Sequence, residues 1–154
     1  GIPFMMHWNT QAVPPNDIEA LETTMKWNRL RGGTAAVIVE PLGPESGTYP
    51  LYRAYTQQVR DLCDKYGALL IFDEVVTAFR VGMSGAQGYL EVMPDLTVFG
   101  KVVAGGYPSA GGLGGRADLM DGLAAGLQGG KKVKVGGTMA ANPLSSCAGD
   151  YTLE

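Results

Sequence analysis

Three charged residues follow short, mostly apolar runs of the kind that form buried strands. Glu40 follows the run at 35–39, Asp73 follows the run at 68–72, and Lys101 comes shortly after the run at 96–99. In open parallel sheets, ligands bind beyond the carboxyl ends of the strands. Taken singly, each residue could be a helix cap or a solvated surface charge. Three charges on one edge need partners or a ligand, so together they favour a ligand site.

The elements between these residues predict a parallel sheet. Residues 14–31 have helical spacing of apolar positions, with Asn16 or Asp17 as the cap, and end at a pair of glycines. A second helical pattern spans 50–67, where Gly67 suits a helix C-terminus. A strand, a helix and a strand of these lengths form a βαβ unit.

Beyond Phe72, the spacing of apolar residues indicates helices and strands less clearly. A fourth strand is expected within 110–114, moderate helical character runs from 116 to 127, and a last helix opens at Asn142-Pro143 and continues through 148. No repeat or linker divides the chain. The sequence therefore predicts one α/β unit with a mostly parallel sheet.

Composition argues against several classes of partner. The 154 residues carry a formal net charge of -3, which does not suit a nucleic-acid surface. The one basic cluster, Lys131, Lys132 and Lys134, is interpreted as a solvated face. No apolar run approaches the ~20 residues that a membrane helix needs. We therefore expect neither a nucleic acid nor a membrane as partner.

The alternatives to this edge site are weak. The single histidine, His7, has no partners at metal-ligand spacing and no recognisable nucleophile turn beside it. Cys63 and Cys147 lie far apart in a chain without an export signal, which predicts a reducing, cytoplasmic compartment. The glycine-rich run at 104–108 is neither a P-loop nor a full dinucleotide fingerprint after a strand. A metal site, a hydrolytic triad and a nucleotide-binding Rossmann protein are therefore disfavoured.

Four stretches of the sequence match motifs of one enzyme family. The stretch 70–80, LIFDEVVTAFR, resembles the aspartate-centred motif of class III aminotransferases, and 94–101, PDLTVFGK, resembles their cofactor-lysine segment. The stretches 36–41, AVIVEP, and 137–144, GTMAANPL, are similar to a strand before a glycine turn and to a phosphate-binding motif. The resemblance covers 35–149 in unbroken order. It is closest to the glutamate-1-semialdehyde aminomutase branch at Arg80, 85–87 and 114–116.

The resemblance implies pyridoxal 5'-phosphate as cofactor and a role for each matching residue. Lys101 would form the Schiff base and then shuttle a proton on the substrate adduct. Asp73 would face the pyridine nitrogen and keep the ring protonated, and Val75 would pack on the ring face. Thr138 would bind the phosphate, usually that of the neighbouring subunit. The implied reaction moves an amino group on an amino acid or amino ketone.

The substrate branch stays open at two positions. Glu45 stands where the aminomutase branch usually has asparagine and looks more like the ornithine and 4-aminobutyrate branch, where a glutamate pairs with a gating arginine. Val76 occupies a position where that second branch often has glutamine. We expect Glu40 and Glu45 to lie near the cofactor or substrate.

The resemblance also implies a larger assembly. Residues 1–154 would form part of the large cofactor-binding domain of a three-layer α/β/α sandwich, with the small domain and the N-terminal part outside this chain. The expected partners are a small-molecule amino donor and acceptor and a second subunit of a homodimer with a shared site. The rival hypothesis is a non-catalytic or incomplete α/β fragment with no activity by itself.

Overall fold

A four-stranded sheet organises the computed structural model, which describes residues 8–108, 110–123, 133 and 136–154. In spatial order its strands are β1 (Ala36–Val39), β2 (Leu69–Asp73), β3 (Leu96–Gly100) and β4 (Gly111–Gly115). The first three strands are parallel, and β4 runs antiparallel to β3. The predicted α/β class with a mostly parallel sheet is confirmed, and each predicted strand is found at its expected place.

Two helices connect and flank the parallel strands where the sequence predicts them. Helix α1 (Ile18–Asn28) begins where the Asp17 carboxylate accepts a hydrogen bond of 2.9 Å from the Ala20 amide, which satisfies one free N–H of the first turn. The short α2 (Pro44–Gly47) follows β1 and was not predicted. Helix α3 (Arg53–Tyr66) ends at Gly67, whose φ of 68° is the left-handed conformation that glycine adopts readily.

The later helices differ more from expectation. Helix α4 (Gly85–Leu90) was not predicted. The expected helix over 116–127 is found as α5 (Ala117–Met120) with a 3-10 turn at Asp121–Leu123, and residues 124–127 lie outside the described part. The last helix, α6 (Pro143–Leu153), begins after its Asn142 cap as predicted and continues beyond residue 148.

The hydrophobic core lies on one face of the sheet. Leu70 and Phe72 alternate on β2 and are fully buried, and α3 packs over them through Val59. Helix α1 adds Leu21 and Met25 to the same cluster. Burial of each large side chain stabilises the fold by roughly 1.5–3 kcal/mol. We call this the core face of the sheet.

The opposite face carries the alternate residues of the strands, and we call it the outer face. Ile38 on β1 is 62% exposed, and Ile71 and Val98 on the neighbouring strands are half-buried. This face also carries Asp73, because side chains alternate along β2. Among the described residues, no helix combines the length and apolarity needed to cross a membrane.

Candidate active site

The three charged residues found in the sequence lie at one edge of the sheet. Glu40 follows the last residue of β1, Asp73 is the last residue of β2, and Lys101 follows the last residue of β3. Because these strands are adjacent and parallel, their carboxyl ends meet at the same edge. The structure therefore places Glu40, Asp73 and Lys101 on the shared rim that the sequence predicts.

Asp73 and Val75 form one local unit. The Asp73 carboxylate accepts a hydrogen bond of 3.1 Å from the Val75 amide. The Val75 side chain lies against Gly100, where an added Cβ would come within 3.0 Å of a Val75 methyl group. A glycine at position 100 thus permits Val75 to approach β3 closely. This contact joins the end of β2 to the residue that precedes Lys101.

Lys101 has an unusual backbone conformation. Its φ is 50°, in the left-handed region that a residue with a Cβ adopts at a cost. It begins the 3-10 turn Lys101–Ala104 that leads away from β3, and its side chain is exposed. The sharp change of direction after the extended Gly100 directs the chain away from the sheet at this point.

A cavity of about 310 Å³ opens beside the same edge. Glu40 and Asp73 line it on the strand side, and Tyr55 of α3 lines it on the helix side. Burial, aided by the negative charge of Asp17, raises the pKa of the Tyr55 phenol, which therefore stays neutral. The remaining lining is mostly apolar and comprises Val13, Pro15, Ile38, Val39, Pro44 and Leu51. The cavity is large enough for a small organic ligand.

Glu40 and Glu45 are linked through the loop after β1. The Glu40 carboxylate accepts a hydrogen bond of 3.2 Å from the Glu45 amide, at the start of α2. Glu45 itself has a φ of 54° and is exposed. The loop is tight at Gly43, where a Cβ would lie 2.0 Å from the Tyr49 carbonyl oxygen. The Glu40 carboxylate therefore lies at the edge that Asp73 occupies, and the backbone of Glu45 is tied to it.

Thr138 is in a turn before α6, and its side chain is exposed. The turn is fixed by Asn142, which accepts from the Ser145 amide at 2.9 Å and donates to the Met139 carbonyl at 3.1 Å. The Ser145 hydroxyl donates to the Pro108 carbonyl at 2.6 Å, so α6 is tied to the segment after Lys101. Among the described residues, no hydrogen bond joins Thr138 to Asp73 or Lys101.

Glu74 is a buried acidic residue at this edge that the sequence analysis missed. It is fully buried, and its carboxylate accepts hydrogen bonds from Thr77, Ala86 and Gln87. The alternation of side chains along β2 could have predicted that Glu74 is buried. If Asp73 faces outward, the next side chain must point to the same face as Phe72, where a carboxylate requires donors.

The opposite end of the sheet carries a second buried carboxylate, Asp95. It accepts hydrogen bonds of 2.8 Å from Arg60 and from Arg116, and of 2.7 Å from the Leu70 amide. Burial alone would raise the pKa of Asp95, but the hydrogen bonds from Leu70, Arg116 and Arg60 outweigh burial and lower it. This cluster joins α3, β2 and the residue after β4.

The described residues contain no group of three or more histidine, cysteine or acidic side chains placed to hold a metal ion. Burial raises the pKa of the Cys63 thiol to about 11, so this cysteine is unreactive at neutral pH. His7 and the lysines at 131, 132 and 134 lie outside the described residues. Among the described residues, the charged groups on this rim include the Glu40 and Asp73 carboxylates and the Lys101 amine.

Comparison with known proteins gives a consistent result. The profile of the Aminotransferase class-III family matches residues 4–154. Glutamate-1-semialdehyde 2,1-aminomutase 2 of Bacillus velezensis is 42% identical over 154 residues, which is 100% of this chain and 34% of that protein. This chain thus spans about a third of the length of the curated relatives it matches.

Solved structures share the fold. An omega-transaminase from Sphaerobacter thermophilus superposes with a TM-score of 0.78 at 37% identity, over 92% of this chain and 31% of the transaminase. A glutamate-1-semialdehyde-aminomutase from Pseudomonas aeruginosa PAO1, in complex with PMP, has a TM-score of 0.74 at 30% identity, over 93% of this chain and 32% of the aminomutase. The transaminase type of fold expected from the sequence is confirmed. The chain belongs to the class III aminotransferases.

Proposed function

We propose that this chain forms part of the large cofactor-binding domain of a pyridoxal-phosphate enzyme that moves an amino group on an amino acid or amino ketone. The observation that carries the proposal is the juxtaposition of Asp73 and Lys101 at the ends of adjacent parallel strands. The contact between Val75 and Gly100 joins these two positions. An acid and an amine on one edge are the groups that such a cofactor requires, and Asp73 of this pair also lines the cavity of about 310 Å³.

The residues at this edge fit the cofactor. In the proposal, the Lys101 amine would hold the cofactor as a Schiff base, and the Asp73 carboxylate would accept a hydrogen bond from the protonated ring nitrogen. Val75 supports one face of the ring from its position against Gly100. When bound, pyridoxal phosphate supplies an electron sink for the bonds around the amino carbon of the substrate. Once the substrate amine had replaced Lys101 on the cofactor, the free Nζ atom of Lys101 would carry a proton between two carbons of the adduct.

Thr138 and the second subunit complete the proposed site. Thr138 is exposed in a turn that Asn142 holds rigidly, so its hydroxyl is available to a phosphate outside its own subunit. We therefore propose a homodimer in which Thr138 binds the phosphate held by the partner. In the proposal, Glu40 and Glu45 lie near the cofactor or substrate; the hydrogen bond from the Glu45 amide to the Glu40 carboxylate, in the loop after β1, supports this.

The aminomutase reaction is the preferred form of the proposal, because the curated relatives reported above carry that name. An internal shift needs no separate amino acceptor, whereas a transaminase needs one. Assay of the full-length protein with glutamate-1-semialdehyde alone, and then with an added keto acid, separates the two reactions. Turnover that depends strictly on the keto acid would assign the chain to the transaminase branch that Glu45 resembles.

Covalent labelling tests the assignment of Lys101 directly. The full-length protein is incubated with pyridoxal phosphate, reduced with borohydride and digested, and the labelled peptide is identified by mass spectrometry. We expect the label on Lys101 and its absence in a Lys101→Ala variant, whose turnover should fall by about 10³-fold or more. Lys65→Ala is a suitable control, because Lys65 is an exposed lysine on α3. A label on another lysine in the unmodified protein would sink the proposal.

A second candidate concerns the chain taken by itself. Lys101 is exposed, and Ile38 on the outer face is 62% exposed, so the described part of the chain leaves this edge of the sheet open. We propose that the isolated chain has little or no activity and self-associates through this face. A colourless, self-associated preparation is expected. A yellow monomer with the absorption band of bound cofactor would contradict it.

A further inference from the structure

Glu74 occupies the junction of four structural elements. Its amide donates to the Val98 carbonyl at 3.0 Å and so extends the pairing of β2 with β3 by one residue. Its carbonyl accepts a hydrogen bond of 3.0 Å from Ala78 in the loop that follows. Its carboxylate reaches α4. The main chain and side chain of one residue thus fasten the end of β2 on three sides.

The carboxylate pins both ends of the loop at 75–84. Near the start of the loop, the Thr77 hydroxyl donates to it at 3.1 Å. Beyond its end, the amides of Ala86 and Gln87 donate at 2.6 and 3.2 Å. These amides belong to the first turn of α4, whose free N–H groups favour an anion.

Gly85 shows how closely the backbone is fitted around this carboxylate. A Cβ at position 85 would lie 2.5 Å from one Glu74 oxygen and 2.9 Å from the other, and the φ of Gly85 is +61°. Glycine is therefore required for both space and backbone conformation. The short contact lets the first amides of α4 reach the carboxylate directly.

The hydrogen bonds of Glu74 also affect the residues beside it, Asp73 and Val75. Glu74 is buried and continues the alternation of β2 beyond Asp73, which lies on the outer face, and Val75 begins the turn that follows. The Val75 amide in turn holds the Asp73 carboxylate, and the Val75 side chain rests on Gly100. Fixing the main chain at Glu74 therefore fixes the direction of the Asp73 carboxylate and the position of Val75.

The donors to Glu74 are all neutral in the described part of the chain: two backbone amides, the Thr77 hydroxyl and the Gln87 side-chain amide. Each hydrogen bond from a neutral donor helps to fix the orientation of a buried carboxylate. Such donors offset the cost of burying the group less than an ion pair with a cation would. Buried polar groups of this kind specify geometry more than they add stability.

We infer that Glu74 is a positioning residue of the cofactor site, which acts through the Val75 backbone to orient the Asp73 carboxylate. This inference rests on the proposed function. It predicts that Glu74→Gln, which keeps the shape of the side chain but places an NH₂ group against N–H donors, disturbs the site more than the fold. The Kd of pyridoxal phosphate for the full-length apo protein should rise roughly tenfold. The induced circular dichroism of the bound cofactor, which reports its orientation, should weaken.

Asp95→Asn provides the matched control. It replaces a buried carboxylate that is 6% exposed, at the opposite end of the same sheet, by its own amide. We expect it to lower the melting temperature while the cofactor Kd and the induced signal stay at wild-type values. If Glu74→Gln fails to fold, Thr77→Val removes one donor to the carboxylate and is measured in the same way. For that variant, roughly a threefold rise in Kd is expected.

The outcomes separate this inference from the proposed function. An unmodified protein that binds no cofactor would overturn the proposed function before any variant is compared. Cofactor binding by the unmodified protein, with a Kd and induced signal in Glu74→Gln no more altered than in Asp95→Asn, would overturn the positioning role alone. A weakened signal in Glu74→Gln with a wild-type signal in Asp95→Asn supports it.

Discussion

The two ends of the sheet use buried carboxylates in different ways. At the amino end, Asp95 is held by two arginines and a backbone amide. At the carboxyl end, Glu74 is held by neutral donors, and the rim residues Asp73 and Lys101 remain accessible to a ligand. Two arginines pair with the buried carboxylate at the amino end, whereas Lys101 is exposed on the rim at the carboxyl end. We therefore propose that the two ends of the sheet have separable tasks.

The same substitution at each end tests this separation, and the largest effect is expected at the carboxyl end. Asp73→Asn keeps an oxygen that can accept from the Val75 amide, so its melting temperature should be unchanged. The substitution removes the negative charge that, in the proposal, keeps the pyridine nitrogen of the cofactor protonated. Turnover should therefore fall by about 10²-fold while some cofactor stays bound. Steady-state kinetics and an absorption spectrum measure both effects. Wild-type turnover would show that this carboxylate does not serve the cofactor.

Asp95→Asn should give the converse result. The amide cannot accept from both arginines, and Arg60, only 13% exposed, loses its buried partner. We expect the free energy of unfolding to fall by about 2 kcal/mol, with turnover unchanged at temperatures well below the melting point. Denaturant unfolding and kinetics on the same preparation test this. A loss of turnover without a loss of stability would break the proposed division between the two ends.

The smallest effect concerns pH. The pKa of Asp95 lies below its ordinary value of 3.8 in the folded protein, so protonation favours the unfolded state. The stability from this group is complete above the ordinary pKa and is lost as pH falls through the lower, folded value. Wild-type protein should therefore lose its stability advantage over Asp95→Asn as pH falls below about 4. Urea unfolding from neutral to acidic pH measures this, and a constant difference between the two proteins would contradict it.

Much of the sheet could be predicted from the sequence because its strands are short apolar runs bounded by Gly or Pro. The location of Glu40, Asp73 and Lys101 followed, since parallel strands align their carboxyl ends. Helix α1 and helix α3 were predictable because each has apolar positions at helical spacing and a terminal signal, such as Gly67. These elements depend on residues that are close together in the sequence, so sequence patterns can predict them.

The missed elements depend on contacts between distant residues. Helix α4 has only six residues, and the Ser84 side chain makes no capping hydrogen bond. Its first turn is instead stabilised by Glu74, twelve residues before Ala86. The ion pairs of Asp95 likewise connect residues separated by 21 and 35 positions. Periodic spacing in the sequence does not indicate which distant residues are in contact, so these contacts could not be predicted.

Strand β4 was predicted, but its sequence does not explain why it forms a strand. It reads Gly-Gly-Leu-Gly-Gly, and the apolar signal that marks the other strands is almost absent. Its glycines allow close approach, since a Cβ at Gly115 would lie 2.4 Å from the Asp95 carbonyl oxygen and one at Gly114 would lie 3.1 Å from Phe99. The strand exists because β3 supplies a hydrogen-bonding edge and Phe99 occupies the space beside it.

The backbone of Lys101 has a consequence for how this position can vary. A lysine at a φ of 50° holds a conformation that glycine would adopt with about 1 kcal/mol less strain. Selection for stability alone would therefore favour glycine here, whereas selection for an amine at this edge would oppose it. The two pressures act on one residue in opposite directions. A descendant that no longer needed the amine would be free to replace it with glycine and would fold more stably as a result.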